Sequence, residues 1–173
     1  QRGLNQTQGD FMYHALYSSP VGMLRLVSDE KGLRQLWLPN EIEEKICPAE
    51  WIEDGDFSIN RQIRDCLDAY FAGEKRRFDN LPLAPVGTAF QQSVWKALLT
   101  IPYGTISHYS VIANALNNPK AVRAVGGAVG RNPISILIPC HRVLGKDLSL
   151  TGYSGGLPIK KALLDLEKIS YRS

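Results

Sequence analysis

Cysteine is scarce in this chain: Cys47, Cys66 and Cys140 are the three among 173 residues. Their spacing matches neither a zinc site nor a disulfide framework. An odd count without a secretory signal points to free thiols in a reducing compartment. Long apolar runs are missing too. None approaches the roughly 20 residues of a membrane-spanning helix, and no signal-like apolar segment opens the chain. Nor is charge of one sign in excess, since 20 Lys and Arg against 17 Asp and Glu leave +3. That balance admits a local basic patch for nucleic acid but argues against a basic tail. Repeats and low-complexity tracts are absent. What remains is an ordinary soluble composition, 44% hydrophobic and 21% charged, long enough for one domain or two small ones. The expected location is the cytoplasm, with no membrane partner. The polar stretch Gln1 to Asp10 is expected to be disordered.

The first half reads as a small sheet and a helix. Met23 to Val27 and Leu33 to Leu38 flank a turn segment, Ser28 to Gly32, in which Gly32 can take positive φ, so a hairpin is predicted. Residues 39–58 are acidic and punctuated by Pro39, Pro48 and Gly55, which predicts a loop with room for a short helix. Ile59, Ile63 and Leu67 recur every four residues with Cys66 and Tyr70 beside them. This spacing predicts a helix over 59–71 with Cys66 on its apolar side and Gly73 at its end. His14 has no clustered ligands, so no metal is expected. Phe78 to Gly87 is extended and proline-rich, placing a boundary near residue 85. The domains are then residues 1–85 and 86–173.

The second half turns helical. Thr88 and Gln91 have capping-box spacing, and Phe90, Val94, Trp95, Leu98 and Leu99 form the buried stripe of the helix they open. A second helix is predicted from Ser107, with Tyr109, Ile112 and Leu116 inward and Val111 and Ala115 alongside. Asn118 as cap and Pro119 at the first position start a third helix through Arg131. At 100° per residue, Val122, Val125 and Val129 share one face and Lys120, Arg123, Gly127 and Arg131 another. Two short helices around a tight turn, the second small and basic outside, describe a helix-turn-helix. A packed helical hairpin with solvated charges fits the same pattern. Three glycines in the third helix each cost about 1 kcal/mol against alanine, which suggests close approach by a partner. Cations without bulk suit a phosphate backbone or minor groove.

The segment Ile134 to Val143 carries the reactive groups. An apolar run resembling a short strand ends at Pro139, and Cys140 and His141 follow. A thiol beside an imidazole is the minimum for a soft nucleophile with a base. A buried cysteine next to a surface histidine fits equally well, because neighbours in sequence need not face each other. Asn132 either caps the third helix or orients the strand. Leu150 to Gly156 is a glycine-rich loop, suited to cradling a ligand or to plain connection. The last helix starts near Pro158, with Ile159, Ala162, Leu163, Leu164 and Leu166 on a broad apolar arc. Lys160 shares that side and is expected to snorkel. Glu167 falls inside the arc, where a carboxylate wants a partner. His141 is the natural one and would complete a Cys-His-Glu relay; a lysine at the helix edge is the alternative.

Several blocks together resemble one family: Tyr70-Phe71-Ala72-Gly73, Leu81-Pro82-Leu83, Thr88-Ala89-Phe90-Gln91, Ala121-Val122-Arg123-Ala124-Val125-Gly126, Asn132-Pro133, Ile138-Pro139-Cys140-His141-Arg142-Val143 and Thr151-Gly152-Tyr153. Over about residues 59–169 the chain resembles the O6-alkylguanine-DNA alkyltransferases, also called methylated-DNA–protein-cysteine methyltransferases. The resemblance implies an α/β N-terminal domain with a ribonuclease-H-like fold, followed by a mainly α C-terminal domain with a helix-turn-helix. It implies a monomer, without cofactor or metal, that binds double-stranded DNA in the minor groove and flips O6-alkylguanine out of the stack. The alkyl group would pass irreversibly to Cys140, with His141 as base through a water, Glu167 orienting it and Asn132 as a structural hinge. Tyr109 would assist flipping and donate to the guanine. Arg123 would fill the gap left by the base, with Lys120, Ala121, Ala124, Gly127 and Arg131 beside it on DNA. Tyr153 and Ser154 would line the guanine pocket, and the backbone of Cys140 and Val143 would read its exocyclic amine. Val129 and Ser135 would bear on which alkyl groups fit. His108 stands where many members have serine and is read as a lineage variant or a phosphate contact. Among rival readings, a non-repairing recognition protein is opposed by the intact Cys140. A plain helix-turn-helix regulator would leave the thiol idle, and a cysteine hydrolase would leave Arg123 unexplained.

Overall fold

A computed structural model describes residues 11–172, so the expectation for Gln1 to Asp10 lies outside the described residues. Three strands form an antiparallel meander: β1 (Tyr13–Ser19), β2 (Gly22–Asp29) and β3 (Gly32–Trp37). The predicted hairpin is therefore present, extended by one strand. Gly32 sits at its turn with φ +148°, and a Cβ there would lie 2.5 Å from the Pro82 carbonyl oxygen. The turn and the close passage of the linker both require glycine. The acidic stretch contains α1 (Pro39–Glu44) and the two-residue β4 (Ile52–Glu53), which joins β1 in parallel. Sheet order is β3-β2-β1-β4. Helix α2 (Ser58–Phe71) packs on β1, β2 and β3 and buries Ile63, Cys66, Leu67 and Tyr70, as its four-residue periodicity requires.

The outer edge of β3 is occupied. Leu33 N donates to Pro82 O and Ala84 N to Leu33 O, both at 2.8 Å, and Leu36 N donates to Pro133 O at 2.9 Å. One strand thus holds both the proline-rich linker and the start of the segment that leads to Cys140. Arg34 tightens the grip on the linker: its Nε pairs with Asp29 at 2.7 Å and its Nη1 donates to Ala84 O at 2.8 Å. A single hydrophobic core then runs from Leu24, Leu36 and Tyr70 through Trp95 to Ile134, Leu137 and Leu163.

The remaining regular elements are mainly helices: α3 (Ala89–Leu99), α4 (Tyr109–Ala115), α5 (Val122–Gly130) and α6 (Leu157–Leu166). The capping box of α3 is formed, with Thr88 Oγ1 accepting from Gln91 N at 3.1 Å and Gln91 Oε1 accepting from Thr88 N at 3.0 Å. Helix α5 packs on α3 and α4, and Trp95 Nε1 donates to Ala128 O at 2.9 Å.

Four local expectations change. Helix α4 begins at Tyr109 rather than Ser107, because Ser107 is engaged with the backbone of Arg142 and Leu144; Ala113, not Val111 or Ala115, is its second buried residue. Helix α5 begins at Val122 rather than Pro119, since Asn117 takes φ +58° and Asn118 O accepts from Ala121 N in a turn. Its buried face is Val125, Ala128 and Val129, with Val122 exposed. Ala162 in α6 is exposed, and Glu167 stands one residue past the helix end. The largest departure concerns Ile134 to Ile138, which is not a strand. Ile134 alone bridges to Leu36, and the chain then turns, with Ile136 at φ +75°. Because every residue of the run is buried, no alternation distinguishes strand from turn there.

Candidate active site

The reactive segment is a stapled turn. Asn132 Oδ1 accepts from Ile134 N at 2.9 Å, and its Nδ2 donates to Ile138 O at 2.8 Å. The two bonds tie the start of the turn to its exit and stabilise the positive φ of Ile136, which a β-branched residue disfavours. Of the two roles open to Asn132, the side chain performs the orienting one. A 3-10 turn, Cys140–Arg142, follows, so Cys140, His141 and Arg142 point in three directions from one fixed place.

Cys140 is 6% exposed and opens on a cleft of about 360 Å³ lined by Tyr109, Gly126, Val129, Gly130, Gly152, Tyr153 and Ser154. Three of the five residues predicted for the pocket, Val129, Tyr153 and Ser154, line it. Ser135 and Val143 are buried and are not among the residues that line it. The Val143 carbonyl accepts from Lys160 Nζ at 2.9 Å, and Cys140 O accepts from Val143 N at 3.2 Å. Burial pushes the Cys140 thiol up, while Asn132, the Lys160 charge and Ser135 pull it part of the way back. The resting nucleophile is a neutral thiol that must lose its proton to react.

His141 and Glu167 meet in the interior. His141 Nε2 lies 2.7 Å from Glu167 Oε2, and both side chains are fully buried. The alternative of a lysine partner for Glu167 is not realised. Four further donors converge on the same carboxylate: Tyr70 OH at 2.6 Å, Arg142 Nε at 2.8 Å and Nη2 at 3.1 Å, and Gly104 N at 3.0 Å. Burial alone would raise the Glu167 carboxyl, but hydrogen bonds from His141 and Arg142 and the Arg142 charge outweigh it and hold it at about 2. Burial lowers His141 despite the raising effect of Glu167, so the imidazole rests neutral. His141 Nδ1 is buried with no hydrogen-bond partner among the described residues. A neutral imidazole with one nitrogen held by a carboxylate and the other unpaired can accept a proton and be stabilised once charged.

Helix α5 separates this cleft from a second concavity. Gly126, Val129 and Gly130 face the cleft, whereas Lys120, Ala121, Arg123, Ala124, Gly127 and Arg131 line an open groove of about 660 Å³ that also touches Thr88 and Gln91 at the start of α3. The six residues predicted to meet DNA beside Tyr109 are thus brought to one surface. Two of the three glycines have little internal cause: a Cβ at Gly126 would make ordinary contact with the Tyr109 ring at 3.9 Å, and one at Gly130 would meet nothing within 4 Å, whereas one at Gly127 would press on Arg131 Nη1 at 3.1 Å. His108 Nδ1 lies 2.9 Å from the Leu144 carbonyl.

Three participants escape a reading of the site from sequence. Arg142 appears there only inside a family block, Tyr70 only in such a block and beside the apolar stripe of its helix, and Lys160 is expected to snorkel. Lys160 is instead 1% exposed, with Nζ donating to Val143 O, to Thr151 O at 3.3 Å and to Thr151 Oγ1 at 3.1 Å. A Cys-His-Arg triplet inside an otherwise apolar stretch is the one signal that pointed to Arg142.

Two family models match the chain: 6-O-methylguanine DNA methyltransferase, ribonuclease-like domain, over residues 12–85, and 6-O-methylguanine DNA methyltransferase, DNA binding domain, over residues 89–169. The chain is 49% identical over 160 residues to the methylated-DNA–protein-cysteine methyltransferase of Haemophilus influenzae, covering 92% of this chain and 88% of that protein. It is 50% identical over 158 residues to the Methanosarcina mazei protein of the same name, with 91% and 98% covered. Among solved structures, Mycobacterium tuberculosis OGT in complex with DNA matches with a TM-score of 0.80 at 46% identity, covering 90% of this chain and 92% of that one.

Proposed function

We infer the function of this chain from its family: it belongs to the 6-O-methylguanine DNA methyltransferases, and it repairs DNA by moving the alkyl group of O6-alkylguanine to its own Cys140. The observation that carries the assignment of roles is the buried His141–Glu167 pair at 2.7 Å behind a cleft on which Cys140 opens. His141 Nδ1 takes the thiol proton through a water, and Glu167 supports the imidazolium that forms. The thiolate attacks the alkyl carbon in line with O6. Tyr109, which lines the cleft, donates to the guanine as negative charge develops on it. The sulfur–carbon bond is a thioether that thiolate exchange does not reverse, so each molecule acts once.

We read α4 and α5 as a helix-turn-helix and the first domain, residues 1–85, as ribonuclease-H-like. The α5 groove receives double-stranded DNA at its minor groove, and the protein acts as a monomer in the cytoplasm. Arg123 fills the space of the flipped base, and the small residues Ala124 and Gly127 let the backbone of α5 approach phosphates closely. Free cysteines support a reducing compartment. Among the described residues no helix is long and apolar enough to cross a membrane.

The test is the mass of the Cys140 peptide after incubation with duplex DNA containing O6-methylguanine. One added methyl group is expected, and none in Cys140→Ala, which should still bind the duplex. An unchanged peptide under saturating substrate would sink the assignment.

A further inference from the structure

Lys160 is a buried cation with no carboxylate partner among the described residues. It is 1% exposed and directs its protons at Val143 O, Thr151 O and Thr151 Oγ1. Burial pulls the ammonium down to about 8, and a thiolate at Cys140 acts in the opposite sense. An unpaired buried charge is costly and marks a place where its field is used. The next link is short: Thr151 Oγ1 lies 2.8 Å from Tyr109 OH.

The chemistry of the groups favours one direction for this chain. An ammonium only donates, and a hydroxyl has one proton and two acceptor sites. Thr151 Oγ1 accepts from Lys160, so its own proton turns away from the ammonium, and the Tyr109 oxygen at 2.8 Å is an acceptor within its reach. With Thr151 as the donor, the Tyr109 oxygen accepts and the phenol proton is left for the cleft that Tyr109 lines. Without the link, Tyr109 can spend its proton on Thr151.

We propose that Thr151 and Lys160 are positioning residues that aim and polarise the Tyr109 hydroxyl toward the departing guanine. No proton leaves Lys160 in this arrangement. The methyl group moves to sulfur, the carbon–oxygen bond breaks, and the guanine meets a donor already turned toward it. The proposal rests on the methyl-transfer reading above and deepens it.

The test compares Thr151→Val and Thr151→Ser in two reactions at Cys140. One is single-turnover transfer from O6-methylguanine in duplex DNA. The other is alkylation by iodoacetamide, whose iodide leaves without a proton donor. Thr151→Val should slow methyl transfer about tenfold, the effect of roughly one lost hydrogen bond, and leave iodoacetamide alkylation at the wild-type rate. Thr151→Ser keeps the hydroxyl and should restore transfer. Equal losses in both reactions, a serine variant as slow as the valine one, or a valine variant as fast as wild type would each overturn the relay. A wild-type chain that takes iodoacetamide but no methyl would overturn the functional reading itself.

Discussion

Replacing Glu167 by glutamine tests the centre of the site with almost no change of volume. The carboxylate is fully buried and accepts from Tyr70, His141, Arg142 and Gly104. Glutamine offers one acceptor oxygen where two stood, turns an amide donor toward other donors, and leaves Arg142, 2% exposed, without its counter-charge. Removing one member of a buried pair costs about 3–5 kcal/mol. The lowered carboxyl leads to a similar figure by linkage. The carboxyl falls from 4.5 to about 2 in the folded chain, and at about 1.36 kcal/mol per pH unit this is worth about 3 kcal/mol. The folded value is the lower one, so the stability is present above about pH 4.5 and is lost as pH falls toward 2. Urea unfolding followed by tryptophan fluorescence should therefore show Glu167→Gln less stable by about 3 kcal/mol at about pH 7. The gap should close as the pH is lowered from 4.5 toward 2. Methyl transfer should also slow by about 100-fold or more, the scale of a disabled general base. A gap under about 1 kcal/mol at neutral pH, or one that stays constant through the acid range, would overturn this account.

Two further substitutions probe the ends of the assembly. Tyr70→Phe removes a buried donor that reaches Glu167 from the first domain, and it should destabilise the chain by about 1.5–3 kcal/mol while methyl transfer persists through the remaining His141 contact; unchanged urea unfolding would show that the interdomain bond contributes nothing. Arg123→Ala should slow repair of duplex DNA more than reaction with free O6-benzylguanine. Equal losses on the two substrates, measured by labelling of Cys140, would rule out a flipping role for Arg123.

Much of the scaffold is readable in the sequence because its signals are local. The hairpin around Gly32, the four-residue periodicity of α2 and the Thr88–Gln91 box each depend on residues close together in the chain, where backbone chemistry and burial act in the same sense. The errors fall where a distant contact overrides a local preference. Ser107 has the composition to open a helix, but backbone bonds to Arg142 and Leu144 hold it out of α4. Ile134 to Ile138 has the composition of a strand, but Asn132 bends it into a turn. Lys160 has a stem long enough to snorkel, and instead carbonyl and hydroxyl oxygens of Val143 and Thr151 draw its ammonium inside.

The ingredients of the chemistry are legible in the sequence, a thiol, an imidazole and a carboxylate with a small basic helix before them, and the family blocks around them select alkyl transfer. The need of Glu167 for a partner follows as well, from the cost of burying an unpaired carboxylate. How these groups meet does not follow from any local pattern. Glu167 is 26 positions from His141 and 97 from Tyr70, separations that no helical or strand period relates. Convergence of five donors on one carboxylate is a property of packing, since it exists only when two domains share a core. The same packing sets α5 between the groove and the cleft, with a different side turned to each.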